Sequence, residues 1–336
     1  MKFIKYTAIL FVLLFFLIAV FYFWATGSQY SEKDYSAVNE FDIATDYEVK
    51  DTFSLMTYNI GYLSDMTNNL AVERPESLFS TSFANISSIF DSYEPDFIAF
   101  QEIDFNSDRS YNQNQYKDIA KACGYGFGAK AINWDKNHVP FPYLPIRLQF
   151  GKILSGQAVL SKATIHSTDR LVLPKPESNP FYYNAFYLDR LAQLVWTQVG
   201  DDSLLIINVH FEAWDAPSRE IQAEMVLEIY KIYEDLHPIV LTGDFNCSPP
   251  YSINANDETT ISTLANYPSI SSAILKDSYL LNPEAYFTFN SSKPYEKLDY
   301  IFYNNQYLNC IESEVIHSDL KISDHLPVYA KFVLFK

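Results

Sequence analysis

The segment Ile239-Val240-Leu241-Thr242-Gly243-Asp244-Phe245-Asn246 sets a carboxylate and a carboxamide two residues apart behind a short aliphatic run. Aliphatic and β-branched residues running into glycine read as a buried strand that ends in a turn. On an extended backbone residues i and i+2 face the same way, so Asp244 and Asn246 are expected to converge at the strand's end. Such a pair suits a metal ion, a phosphate or an attacking water. The same signature recurs along the chain, at Asn59, at Glu102 after Gln101, at His210 after Asn208, at Asp299, and at Asp324-His325 before Leu326-Pro327. Taken singly, each is also what a turn, a cap or a hydrogen-bonded core histidine needs.

Regular elements must bring these residues together. Phe53, Leu55 and Thr57 alternate with Ser54, Met56 and Tyr58 into Asn59, a core strand. Leu78, Phe79, Phe83, Ile86, Ile89 and Phe90 repeat at helical spacing within 75–93, Pro95 stops the helix, and 96–102 is a second buried strand ending at Glu102. Strand, helix, strand in this order is a crossover unit and puts Asn59 and Glu102 at one end of adjacent strands. A short helix is expected at 114–123 and a strand at 157–161. Residues 191–199 and 204–210 form a hairpin around Gly200-Asp201-Asp202. In 216–236, Asp215 and Pro217 mark a helix start, and Ile221, Met225, Ile229, Tyr233 and Leu236 form its apolar face. The stretches 133–145, with Pro140, Pro142 and Pro145, and 174–187, rich in Tyr and Phe, read as irregular loops. Trp134, Phe141, Tyr143 and Tyr182 are candidates to line a cleft or meet a bilayer, with simple packing as the alternative.

Before the domain come Lys2 and Lys5 and then an uncharged apolar run, Tyr6 to Trp24. At about 1.5 Å per residue that run nearly spans a hydrocarbon core of about 30 Å. Residues 1–27 therefore read as a transmembrane anchor or a signal peptide, cleavable near Ala25-Thr26-Gly27-Ser28, residues 28–50 as a polar linker, and 51–336 as one catalytic domain. Keeping the lysines cytoplasmic sends the rest of the chain outside, anchored or, after cleavage, secreted.

Composition narrows the partners. With 41 acidic and 24 basic side chains the net charge is -17, which repels a polyphosphate backbone and does not favour general nucleic-acid binding. A bound divalent cation can still hold a single phosphate. The 48% hydrophobic and 17% aromatic content excludes wholesale disorder. Cys123, Cys247 and Cys310 show no metal-binding spacing and no disulfide framework, although a single bridge stays open.

The motifs Thr57-Tyr58-Asn59-Ile60, Gln101-Glu102-Ile103, Asn208-Val209-His210-Phe211, Thr242-Gly243-Asp244-Phe245-Asn246, Lys297-Leu298-Asp299-Tyr300-Ile301 and Ser323-Asp324-His325-Leu326-Pro327 occur in a telling order. Together they resemble the endonuclease/exonuclease/phosphatase superfamily, which includes pancreatic-type deoxyribonucleases, abasic-site endonucleases, neutral sphingomyelinases and inositol-polyphosphate 5-phosphatases. The resemblance implies a four-layer α/β sandwich, two mixed sheets face to face with helices outside and the active site at one edge. It also implies phosphate-ester hydrolysis with Mg²⁺, or Mn²⁺, held by Glu102 with Asn59 and Asp324. Asp244 would deprotonate the attacking water and Asn246 fix it or a phosphoryl oxygen. Asp299 would hold His325 against the phosphoryl group, and His210 would stand near the leaving or a non-bridging oxygen. Arg190 is a further candidate for substrate phosphate, and Arg219 for phosphate or an ion pair at the surface. An anchored or secreted endonuclease and a non-catalytic surface binding module are the alternatives. The second would be expected to lack Glu102, Asp244 or His325, all of which are present.

Overall fold

Two parallel strand pairs, each at the middle of a mixed sheet, organise the fold of the computed structural model, which describes residues 2–43, 47–255 and 257–335. The first sheet runs in the order β1 (Ser36–Glu40), β4 (Phe127–Val139), β5 (Gly151–Ser161), β3 (Phe97–Asp104), β2 (Thr52–Asn59), β13 (Val328–Leu334) and β12 (Leu308–Val315). The second runs β10 (Ile270–Ser272), β11 (Asp299–Asn304), β9 (Ile239–Asp244), β8 (Asp202–His210), β7 (Arg190–Val199) and β6 (Ile165–Leu173). The helices are α1 (Lys2–Ala25), α2 (Glu76–Tyr93), α3 (Gln115–Ala122), α4 (Phe181–Asn184), α5 (Ala216–Tyr233), α6 (Thr260–Ala265) and α7 (Lys276–Leu281).

Three apolar clusters define four layers. Phe53, Leu55, Phe97 and Val159 of the first sheet meet Val195, Ile206, Val240 and Ile301 of the second. Outside the first sheet, Met56, Ile98 and Phe100 pack against Ile86 and Phe90 of α2 and Ile119 of α3. Outside the second, Ile207 and Leu241 pack against Val226 and Tyr230 of α5 and Leu264 of α6. The central strands are thus covered on both faces, which is why β9 reads as a continuous apolar run. In β2 the polar half of the alternation is buried too, from Phe53 through Asn59.

Beneath the site the sheets are joined by amides. Gln101 Nε2 donates to Asn208 Oδ1 at 2.7 Å, Asn208 Nδ2 to the Phe100 carbonyl at 3.0 Å, and Gln157 Nε2 to the Asn208 carbonyl at 2.9 Å. These buried amide N–H donors, each with a partner across the sheets, tie one sheet to the other and with it the register of the strand ends.

Several expectations need correction. Residues 133–139 lie in β4 and are not an irregular loop, because the prolines that forbid pairing begin only at Pro140. Within the expected linker, Ser36–Glu40 forms β1 and pairs with β4. On α5 the buried residues are Ser218, Arg219, Gln222, Ala223, Val226, Leu227 and Tyr230, while Ile221 and Met225 face solvent. Polar anchors turn this helix: Arg219 pairs with Glu258 at 2.7 Å, and Gln222 accepts from Glu212 N–H and donates to the Pro174 carbonyl. Arg219 is therefore not a surface pair: it is buried, and its Nη1 also donates to the Glu212 carbonyl at 2.9 Å, two residues past His210. The strand expected at 157–161 begins at Gly151, and all three cysteines are free.

Candidate active site

Strand register explains the convergence. In the second sheet His210 of β8 pairs with Asp244 of β9, and Asp244 pairs with Asp299 of β11. Directly opposed residues project to the same face, so these side chains form one transverse row. Asn59 and Gln101 are opposed at the same edge of the first sheet, and His325 lies in the segment that enters β13. A register shift between Phe100 and Ile103 relative to β5 marks a bulge at the end of β3. Glu102 takes a left-handed backbone there, φ 52°, which re-aims its carboxylate.

Asp244 is the hub. It is buried, and its Oδ2 accepts from Asn59 Nδ2 at 2.9 Å while standing 3.5 Å from His210 Nε2 and 3.8 Å from His325 Nε2. Its Oδ1 accepts the Asn246 N–H at 2.9 Å. Asn246, also left-handed at φ 50°, ties its amide to the Phe211 carbonyl at 3.0 Å. The pair is thus linked through a turn and not by strand alternation. Burial pushes the Asp244 carboxyl up to about 7, opposed by His325 and reinforced by Asp299.

The two histidines hold opposite charge states. Burial, Arg190 and His325 hold His210 well below the ordinary histidine range, so it is neutral. Arg190 Nη1 lies 2.6 Å from His210 Nε2, and since a guanidinium only donates, Nε2 accepts and the ring proton sits on Nδ1. Burial disfavours the His325 charge, yet Asp299, whose Oδ2 lies 2.8 Å from Nδ1, and Asp244 hold it well above that range. His325 is therefore an imidazolium oriented by Asp299.

Arg190 is buried in a cage, with Nη2 donating to the Tyr187 hydroxyl at 3.2 Å and Nε reaching Glu212 at 3.4 Å. Tyr187 also donates to Glu212 at 2.9 Å. Glu102 accepts from Asn68 Nδ2, and its Oε1 lies 3.9 Å from His210 Nε2. Burial and the facing Asp324 carboxylate raise Glu102, with His325 and Asn68 opposing. Together with the Asn59 amide, the Glu102 and Asp324 carboxylates form a hard-oxygen donor set, and that set fits a divalent cation. Asp244, Asp299 and His325 also bring ligand atoms within 4.8 Å of one another, but His325 Nδ1 is already used by Asp299.

Sequence reasoning missed Asn68, Tyr187, Glu212 and Lys297. Glu212 follows His210 by two residues, the same spacing as Asp244 and Asn246, and was findable on that ground. Lys297 is buried with Nζ donating to the Asp299 carbonyl at 2.6 Å, and burial, against the pull of Asp299, lowers it to about 7. Asn68 lies in an irregular segment with no periodic signal.

A model of the endonuclease/exonuclease/phosphatase family matches residues 56–325. No curated protein matches the chain. Among solved structures, the human Nocturnin catalytic domain with bound sulfate anion is similar at a TM-score of 0.59 and 18% identity, over 91% of this chain and 100% of that one. An endonuclease/exonuclease/phosphatase from Bacteroides vulgatus gives 0.58 and 18%, over 84% and 99%. A mannosyl-6-phosphatase of Bacteroides thetaiotaomicron gives 0.57 and 16%, also over 84% and 99%. At these identities the likeness is one of fold, with two mixed sheets and helices around them. The family match spans every strand end of the site, from Asn59 to His325, and the chain belongs to the endonuclease/exonuclease/phosphatase family.

Proposed function

We propose that this chain is a divalent-cation-dependent phosphoesterase whose catalytic domain lies outside the cytoplasm and hydrolyses a phospholipid or a small phosphorylated molecule. The observation that carries the reading is Asp244, a buried carboxylate raised to about 7 between a neutral and a charged histidine. Family members hydrolyse phosphate esters and typically use divalent cations, which agrees with the donor set of Glu102, Asp324 and Asn59.

Asp244, oriented by Asn59 and the Asn246 N–H, takes the proton of a water as its oxygen attacks phosphorus in line. The opposite P–O ester bond breaks at the same time, and the leaving oxygen takes a proton from solvent to depart as the alcohol. His325, held by Asp299, offers its Nε2 proton to a phosphoryl oxygen, where negative charge accumulates. Arg190 adds a second fixed positive charge beside His210. Glu102, Asp324 and Asn59 would hold the cation, and a bound cation supplies charge neutralisation of the phosphoryl oxygens. With these groups preset, catalysis is mostly positioning.

The test is turnover of a soluble bis-aryl phosphodiester, sphingomyelin, inositol phosphates and DNA by the full-length chain, with Mg²⁺ and with EDTA. Metal-dependent turnover of at least one substrate is expected, falling about 1,000-fold in Asp244→Ala. Absence of metal-dependent turnover on all of them overturns the reading.

A further inference from the structure

Among the described residues, helix α1 meets the domain at its C-terminal end. Within Phe3–Ala25, 6% of the most apolar window is buried, so the helix leaves the domain instead of packing along it. At the junction Asn137 Nδ2 donates to the Trp24 carbonyl at 3.0 Å and Asn137 N–H to the Gly27 carbonyl at 2.9 Å. The Trp24 ring stacks on His138, and Tyr22 meets Phe186 edge-on at 5.7 Å. The buried Asp135 carboxylate then accepts the N–H groups of Gln29 and Tyr30. A helix end held this way has a fixed direction relative to the strands.

Register fixes which edge that is. β5 runs antiparallel to both β3 and β4, with Asp104 opposite Ser155 and Lys136 opposite Ile153. The junction therefore lies at the same sheet edge as Glu102, two strand spacings or about 10 Å across and about five residues, or about 16 Å, further out along the strands. The intervening rim is apolar and open: Tyr143 is 70% exposed, Leu144 75%, Ile146 71% and Phe181 of α4 78%. Both parts are tied to their surroundings. His138 Nε2 lies 2.8 Å from Gln149 Oε1, and Gln149 Nε2 donates to the Tyr143 carbonyl at 3.4 Å. Tyr183 of α4 packs on Tyr187, whose hydroxyl reaches the Glu212 that cages Arg190. Clustered aromatic and aliphatic side chains at such exposure mark a contact surface.

We propose that residues 141–146 and α4 rest in the interfacial layer of the bilayer that α1 spans, seating the active-site edge on the membrane surface. This seating rests on α1 being a membrane anchor and is independent of the phosphoesterase reading. Continuity with α1 selects lipid as the occupant. Aromatic and aliphatic side chains favour the interfacial layer without basic residues, so the chain's net charge of -17 is no obstacle on a zwitterionic bilayer.

The full-length chain is reconstituted in phosphatidylcholine vesicles with a benzophenone-bearing residue in place of Phe15, Tyr143, Phe181 or Ile311. Ile311 is exposed on β12, at the opposite edge of the seven-stranded sheet. After irradiation, lipid adducts are expected at Phe15, Tyr143 and Phe181, with none above background at Ile311. Adducts at Phe15 without adducts at Tyr143 and Phe181 overturn the seating. So does an absence of adducts at Phe15, which removes the anchor, or equal labelling at Ile311, which removes the orientation. None of these readouts depends on turnover.

Discussion

Asp244 sits between two histidines of opposite charge state, and its own proton decides when it can act. A base accepts a proton only when deprotonated, so below about 7 the carboxyl is occupied and turnover rises as pH passes upward through that value. At alkaline pH turnover falls as His325 loses its proton. Asp299→Asn removes the carboxylate that raises His325, so the alkaline limb is expected to move to lower pH, with kcat reduced about 100-fold. The profile of kcat/KM against pH on a soluble phosphodiester checks both limbs. At this scale the sequence was informative about types: Asn59, Glu102, His210, Asp244, Asp299 and His325 all stand at strand ends that face one another. It was silent on charge. Nothing in Asn208-Val209-His210 distinguishes it from Asp324-His325, and only the partners, Arg190 for one and Asp299 for the other, make the first neutral and the second cationic.

Elements hold these residues through backbone positions that tolerate little. Gly243 lies one residue before Asp244 at φ 140°, and a Cβ there would stand 2.0 Å from the Val209 carbonyl oxygen. Gly243→Ala is expected to destabilise the domain by about 3 kcal/mol, read by chemical denaturation, and to abolish turnover by displacing Asp244. Further along the same sheet edge, Asp135 gathers the backbone of Gln29 and Tyr30 and the hydroxyl of Tyr35. Asp135→Ala is expected to cost about 2 kcal/mol, lowering Tm by about 4 °C, while soluble-substrate turnover is kept and 28–35 becomes sensitive to protease. Helix α5 shows the limit of periodicity. Its large apolar side chains included Ile221 and Met225, yet Arg219 and Gln222 bury instead, because Glu258 and the Pro174 carbonyl lie where no pattern in the helix itself could place them.

For the whole molecule, the net charge of -17 sets the response to salt. A polyanion is repelled at long range, and screening shortens that reach to about 10 Å at 0.1 M. If DNA is cleaved at all, its kcat/KM is expected to rise between low and moderate ionic strength. Turnover of a zwitterionic lipid such as sphingomyelin should change little, as paired assays across a salt series would show.

The sequence by itself determined the order of chemistry-bearing residues, the crossover from β2 through α2 to β3, the β7–β8 hairpin and the apolar character of α1, because strand and helix periodicity and turn chemistry are local. Only the tertiary structure decided that β4 runs to Val139, that Ser36–Glu40 completes the sheet edge, and that α1 is clamped beside the active-site edge. Pairing partners and burial are long-range properties. A strand acquires its partner, and a histidine its charge, from residues distant in the chain, as β1 does from β4, His210 from Arg190 and His325 from Asp299.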